Sequence, residues 1–202
     1  MRALPSIGLM LSLTGALFFA SCSDDAATGG GGAAVGGGGA APVKVTPAPY
    51  GQPSEPRGEW NLFADVAGQV PADRVVAYDV ASPLFSDYAA KWRFLFVPEG
   101  QTIGYDDESP WEFPVGTILV KTFGYLADPQ NPAGARRLLE TRLLYKEPDG
   151  WSAHTYVYDD TQQQATRTIA GKFIQLTFTK PSGEQLESNY HVPNTNECKD
   201  CH

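Results

Sequence analysis

The pattern that most constrains this chain lies between residues 91 and 179. Five runs rich in aromatic and β-branched side chains occur there: Lys91–Val97, Thr117–Tyr125, Arg136–Lys146, Trp151–Tyr158 and Lys172–Thr179. Such side chains suit a pleated, half-buried surface. In the last run Ile174, Leu176 and Phe178 share one face while Gln175, Thr177 and Thr179 share the other, the two-residue period of a strand. Turn-forming residues separate the runs: Pro98-Glu99-Gly100, Asp128 to Pro132, and Glu147-Pro148-Asp149-Gly150. The last of these is short enough to predict an antiparallel hairpin. No stretch sustains a helical period and no internal repeat is visible. The expectation is a mainly β fold, either an antiparallel β-sandwich or a strongly curved meander sheet, with a short helix around Ala64 to Val70.

What precedes this region cannot build a core. From Ala26 to Ala41 the chain is almost wholly Gly and Ala, and from there to Arg57 it is rich in Pro. Gly-rich chain is a flexible coil and Pro-rich chain is extended, so residues 22–57 read as a disordered tether. Folded sequence is expected over residues 58–190, one domain by length. Before the tether, Arg2 gives a positive start, Ile7 to Ala20 is apolar, and Phe19-Ala20-Ser21-Cys22 resembles a lipoprotein cleavage box. The apolar run is roughly 14 residues, too short to span a hydrocarbon layer of ~30 Å as a helix. Residues 1–21 therefore read as a signal peptide, with Cys22 taking the lipid; an ordinary secretory peptide cut near Ala20 is the alternative. Several acyl chains on Cys22 would hold the protein stably on a membrane, where a single chain is marginal. The expected location is the periplasm or cell envelope, with the outer membrane as the anchoring surface.

The chain carries a formal net charge of −8, and loss of Arg2 with the signal peptide brings it to about −9. An acidic surface of that size argues against nucleic acid and against anionic lipid as electrostatic partners. It is compatible with a basic redox protein as partner, although acidity alone more often serves solubility.

Three cysteines occur. Cys22 is accounted for by export, which leaves Cys198 and Cys201, followed at once by His202. In an exported protein a Cys-x-x-Cys-His run reads as c-type haem attachment. One short turn of backbone presents both sulfurs to the two vinyl groups, and the adjacent imidazole serves as an axial iron ligand. Three rival readings remain: a structural zinc site, for which His191 is the nearby extra ligand; a redox dithiol, which lacks its usual strand–helix context; and a disulfide closing a very small loop. A sixth ligand is not evident. Met1 and Met10 both lie in the signal peptide, while His154 on a predicted strand and His191 before the motif are weak candidates. Because cytochromes normally enclose the haem with chain that follows the motif, the natural protein is expected to continue past His202.

Several segments in order carry a resemblance. Ser82-Pro83-Leu84-Phe85-Ser86-Asp87-Tyr88, Trp111 to Thr117, Lys121-Thr122-Phe123, Glu140 to Leu144, Gly150-Trp151, Thr155 to Tyr158 and Val192-Pro193-Asn194 lead into the cysteine motif. Over about residues 78 to 202 the chain resembles the N-terminal region of a family of exported dihaem c-type cytochromes with no assigned reaction. The resemblance implies haem on Cys198, Cys201 and His202 and a second attachment motif further on. It does not imply a catalytic role for any residue of the β region.

Other groupings have plain explanations. Asp106-Asp107-Glu108 could be half of a calcium site, but an acidic loop is the simpler account. Arg136-Arg137 could meet haem propionates, but exposed strand-edge charge suffices. Trp60, Trp92, Trp111 and Trp151 could stack on sugars, but core packing is the default. The sequence thus predicts an exported lipoprotein bearing covalent haem c, more an electron carrier than a catalyst. The alternative is a β-domain for binding or interaction that carries no haem. Residues 191–202 begin the haem-binding segment.

Overall fold

The structure is a computed structural model that describes residues 41–52, 60–162 and 164–198, with the backbone only at Cys198. The protein is mainly β, and all its strand pairs are antiparallel. The strands are β1 (Phe63–Asp65), β2 (Val70–Pro71), β3 (Val75–Tyr78), β4 (Ala90–Phe96), β5 (Ile118–Leu126), β6 (Arg136–Glu147), β7 (Gly150–Tyr158), β8 (Ala165–Thr168), β9 (Lys172–Thr179) and β10 (Gln185–Val192). A single turn of helix, α1 (Thr195–Cys198), follows. Strands β3 to β8 form one six-stranded sheet in sequence order, a meander in which each strand pairs with the next. The β6–β7 hairpin turns on Pro148 and Asp149, with Glu147 opposite Gly150. The segment 64–70 is not helical. Residues 66–69 form a tight turn between β1 and β2, closed by Gln69 N–H donating to the Val66 carbonyl at 3.1 Å. Gln69 there has φ of 52°, which a right-handed helix does not allow.

Alternation along the strands gives the sheet two apolar faces. On one face Phe94, Ile118, Val120, Leu143 and Tyr156 pack with Trp60 and Leu62. Burial of Trp60 is nearly complete, and its indole N–H donates to Tyr156 Oη at 2.8 Å, so the largest core side chain also has its polar atom satisfied. Residues 43–50, expected within the tether, instead belong to this layer. Ala48 is buried, Val43 and Val45 pack against the core, Thr46 N–H donates to the Trp60 carbonyl at 3.0 Å, and Tyr50 stacks on Tyr145 at 5.6 Å. Apolar alternation through Val43 and Val45 allows this despite the prolines, because a strap laid over a sheet face needs few backbone donors.

On the opposite face the β9–β10 ribbon covers one end of the sheet. Its Leu176, Phe178, Tyr190 and Val192 meet Phe123, Tyr125, Leu139 and Val157. The Tyr125 and Phe178 rings lie 4.5 Å apart. The ribbon leaves the other end of this face open, and the open end is where the candidate site lies. Strand β10 runs to Val192, so the folded body extends into the segment that leads to the cysteine motif.

An irregularity shapes that face. Phe123 pairs with Glu140 but Gly124 pairs with Leu138, which leaves Leu139 as an extra, bulged residue. Gly124 is needed there because a Cβ on it would lie 2.5 Å from the Arg137 carbonyl oxygen. Replacing Gly124 by Ala should therefore lower stability by about 1–3 kcal/mol. The urea midpoint of the folded protein measures this, and an unchanged midpoint would contradict the close approach.

Candidate functional site

The open end of the sheet carries an unusual row of charges. Antiparallel register sets Arg93 opposite Lys121, Lys121 opposite Arg142, and Arg142 opposite Thr155, so three cations stand side by side on β4, β5 and β6. Like charges directly opposite one another destabilise a sheet. Two of the three have carboxylates close by. Arg93 donates to Asp79 Oδ1 at 2.7 Å, and Arg142 donates to both oxygens of Glu140, at 2.9 and 2.6 Å. Lys121, between them, has no carboxylate within ion-pair distance among the described residues; its ammonium lies 4.9 Å from the centre of the Phe123 ring. Burial holds Lys121 below the ordinary lysine range, and Arg93, Arg142 and Lys91 act in the same direction against Glu140.

Glu140 is the best-held carboxylate of the fold. It has no exposed surface, and besides the two bonds from Arg142 it accepts one from Tyr190 Oη at 2.6 Å. Burial and the neighbouring Glu140 push the Tyr190 hydroxyl far above the ordinary phenol range, so it remains a donor. The bond joins β6 to β10 and so seats the outer ribbon on the sheet.

Beside the cationic row runs an apolar one: Leu95, Leu119, Leu144 and Ala153 are successive cross-strand partners. The cationic row and Leu119, Leu144 and Ala153 of the apolar one floor a cleft of about 270 Å³, whose walls include Tyr78, Val80, Pro193 and Glu197. The last two belong to the turn and helix that follow β10. Asn194 Oδ1 accepts from the backbone N–H of Asn196 and Glu197, at 2.9 and 3.1 Å, and Glu197 Oε2 accepts from the Asn194 N–H at 2.7 Å. This reciprocal capping box starts α1. The Thr195 N–H donates to the Ile169 carbonyl at 3.2 Å, which fixes the turn to the loop after β8. A second, more open groove of about 500 Å³ lies on the polar outer side of the β9–β10 ribbon, among Gln175, Thr177, Glu187 and Asn189. It gathers no charged row and no apolar floor.

Of the residues singled out from sequence, Cys198 ends α1. Its side chain, together with Cys201, His202 and Cys22, lies outside the described residues. His154 is packed in the core, with its ring 5.8 Å from that of Trp60. Ser152 Oγ lies 2.5 Å from Glu147 Oε1 and 3.0 Å from His154 Nε2. The hydroxyl has one proton, which goes to the carboxylate, so His154 donates from Nε2, and its buried Nδ1 has no hydrogen-bond partner among the described residues. His191 is half exposed, stacked on Phe173 at 4.7 Å, with Nε2 3.7 Å from Glu197.

The remaining groupings divide. Arg136 lies over Trp92 at 5.0 Å and Arg137 reaches Asp160 at 3.3 Å, so this pair serves the ends of the strands and does not line the cleft. Asp106 caps its own turn by accepting from Glu108 and Ser109 N–H groups, and these bonds hold its carboxyl below the usual range. Trp60 is a core residue, whereas Trp111 and Trp151 are exposed; Trp111 packs on Tyr105, and Trp151 packs on Phe113 with the Lys146 ammonium 5.7 Å from its ring centre. Among the described residues no three His, Cys, Asp or Glu side chains converge as a metal site, and no helix is long and apolar enough to cross a membrane. The cationic row was not legible in sequence, because Arg93, Lys121 and Arg142 are single charges in separate apolar runs and only the register unites them.

No protein-family model matches the chain, and neither a curated protein nor a solved structure matches it.

Two outcomes follow from these contacts. Tyr190→Phe should cost about 2 kcal/mol through the lost bond to a charged acceptor, and Glu140→Gln about 3 kcal/mol, because Arg142 is left facing an amide. Chemical denaturation of both variants checks the order. The second concerns acid. Burial, and then Arg167, hold His154 below the ordinary imidazole range, with Glu147 opposing. The unfolded chain therefore takes up a proton near pH 6.5 that the native chain refuses, so stability falls as pH drops through that value. His154→Gln should flatten the change in urea midpoint between pH 7.5 and 5.5; an unaltered slope would contradict the assignment.

Proposed function

We propose that this protein is an exported lipoprotein that carries haem c on Cys198 and Cys201, with His202 as an axial ligand, and that it transfers electrons. The observation that carries the reading is the Cys-x-x-Cys-His run in a chain whose first 22 residues have the form of a lipoprotein signal. The resemblance of residues 78 to 202 to the front of exported dihaem cytochromes agrees with it. The donor set also fits: two thiols and an imidazole suit haem attachment, and the sheet face next to α1 supplies an apolar row beside a cationic one. When bound, the haem would supply a one-electron couple. The chain's own contribution would be to hold the group through Cys198 and Cys201, to ligate iron through His202, and to stay near a membrane through Cys22. Its acidic surface would suit a basic redox partner.

A second reading has one observation in its favour. Leu84 and Phe85 are 79% and 71% exposed on a loop next to the sheet, which is a fitting patch for a protein-binding β-domain without haem.

The gene's full product, made in a host with haem-attachment machinery, separates the two. Peroxidase staining of a denaturing gel should reveal covalent haem at its mass, and replacing Cys198 and Cys201 by Ala should abolish the stain. A wild-type band that does not stain would overturn the haem reading and leave the binding domain.

A further inference from the structure

We propose that the row Arg93–Lys121–Arg142 binds the carboxylates of the haem attached at Cys198 and Cys201. The proposal rests on the haem reading above and specifies where that group is received. Three features of the structure converge on it. The row crosses three neighbouring strands in register, and its central member, Lys121, has no carboxylate partner among the described residues. Arg93 and Arg142 are held in place by Asp79 and Glu140, so the cations around Lys121 are fixed and a further anion would relieve their mutual repulsion. The ligand's shape also matches. A porphyrin is an apolar plate with two carboxylates at one edge, and the cleft floor is an apolar row, Leu119–Leu144–Ala153, beside a cationic one.

Size selects which part of the ligand enters. Pockets that enclose a whole small ligand run from about 300 Å³ upward. At about 270 Å³ this open cleft has room for the carboxylate edge and not for the whole macrocycle. Reach selects the source. Glu197 lines the cleft, Cys198 is the next residue, and Cys201 follows three residues on in the sequence. A group bound through those sulfurs would be tethered by a few residues of chain to a residue that lines this cleft. The acidic groups that face the cleft do not block the row. Glu140 has no exposed surface and is engaged by Arg142 and Tyr190, and Glu197 Oε2 accepts from the Asn194 N–H. Lys91, on the same face, is directed to the Leu84 carbonyl.

The test uses the haem-loaded full product and its Lys121→Gln, Lys121→Arg and Lys44→Gln variants, each checked for haem stain and folding. A cation paired with a haem carboxylate favours the reduced form. Lys121→Gln should shift the ferric–ferrous equilibrium about tenfold toward the oxidised state, a fall of about 59 mV in midpoint potential. Lys121→Arg should restore the wild-type value, and Lys44→Gln, with the same charge change on the other face, should leave it unchanged. Equal potentials in wild type and Lys121→Gln, with haem present, would overturn this assignment alone; absence of haem from the wild type would overturn the function on which it rests. A free carboxylate is the other source. Citrate is titrated calorimetrically into the haem-loaded full product. Binding that Lys121→Gln abolishes would show that the haem leaves the row open and overturn the haem assignment, and absence of binding supports it.

Discussion

A carboxylate with no access to water must be neutralised where it lies, and Glu140 meets that requirement with three hydrogen bonds from two directions. Arg142 holds it from the same strand and Tyr190 from the overlying ribbon. The position depends on the bulge at Leu139, which lets Glu140 face Phe123 beneath β10, and the bulge depends on Gly124 allowing backbone to approach backbone. Much else follows from this clamp. With β10 seated by Tyr190 and Val192, the chain emerges over the sheet at Pro193, and the capping box of Asn194 and Glu197 turns it toward the cysteine motif. The same clamp fixes the guanidinium of Arg142 in line with Lys121 and Arg93. One buried charge thus links the packing of the ribbon to the electrostatics of the open face.

Legibility of the fold varied with how strongly each strand is buried. The runs around Phe94, Val120, Leu143 and Tyr156 are dense in aromatic and aliphatic side chains bounded by turn residues, and that density is visible in the sequence. Strand β10 did not stand out, because its outward positions are Gln185, Glu187, Asn189 and His191 and only three inward residues are apolar. The β1–β2 hairpin occupies the segment where the sequence predicts a short helix. Its strands are three and two residues long, too short for a period to show, and a left-handed turn residue such as Gln69 has no side-chain signature. The strap at residues 43–50 was hidden by its prolines, which mark both tethers and extended segments laid on a core.

The candidate site divides in the same way. The cysteine motif is a local pattern and can be read directly, because thioether attachment demands two thiols and an imidazole at fixed spacing. The cationic row is non-local. Arg93, Lys121 and Arg142 are far apart in the chain and become neighbours only through pairings that place each opposite the next. Arg136 and Arg137, adjacent in sequence and therefore conspicuous, serve Trp92 and Asp160 instead. His154 shows the same principle in reverse, since its position on a strand does not say whether it faces the cleft or the core, and it packs against Trp60.

The central claim is that a haem attached after α1 lies against the open end of the sheet. Backbone amide NMR of the full product, compared between the ferric and ferrous states, tests it most directly, because an unpaired spin perturbs nearby nuclei. The amides of Leu119, Lys121, Leu144 and Ala153 should shift or broaden strongly, while those of Val45, Leu62 and Ala165 on the opposite face should stay unchanged. Perturbation centred on the opposite face, or none at any of these positions, would contradict it.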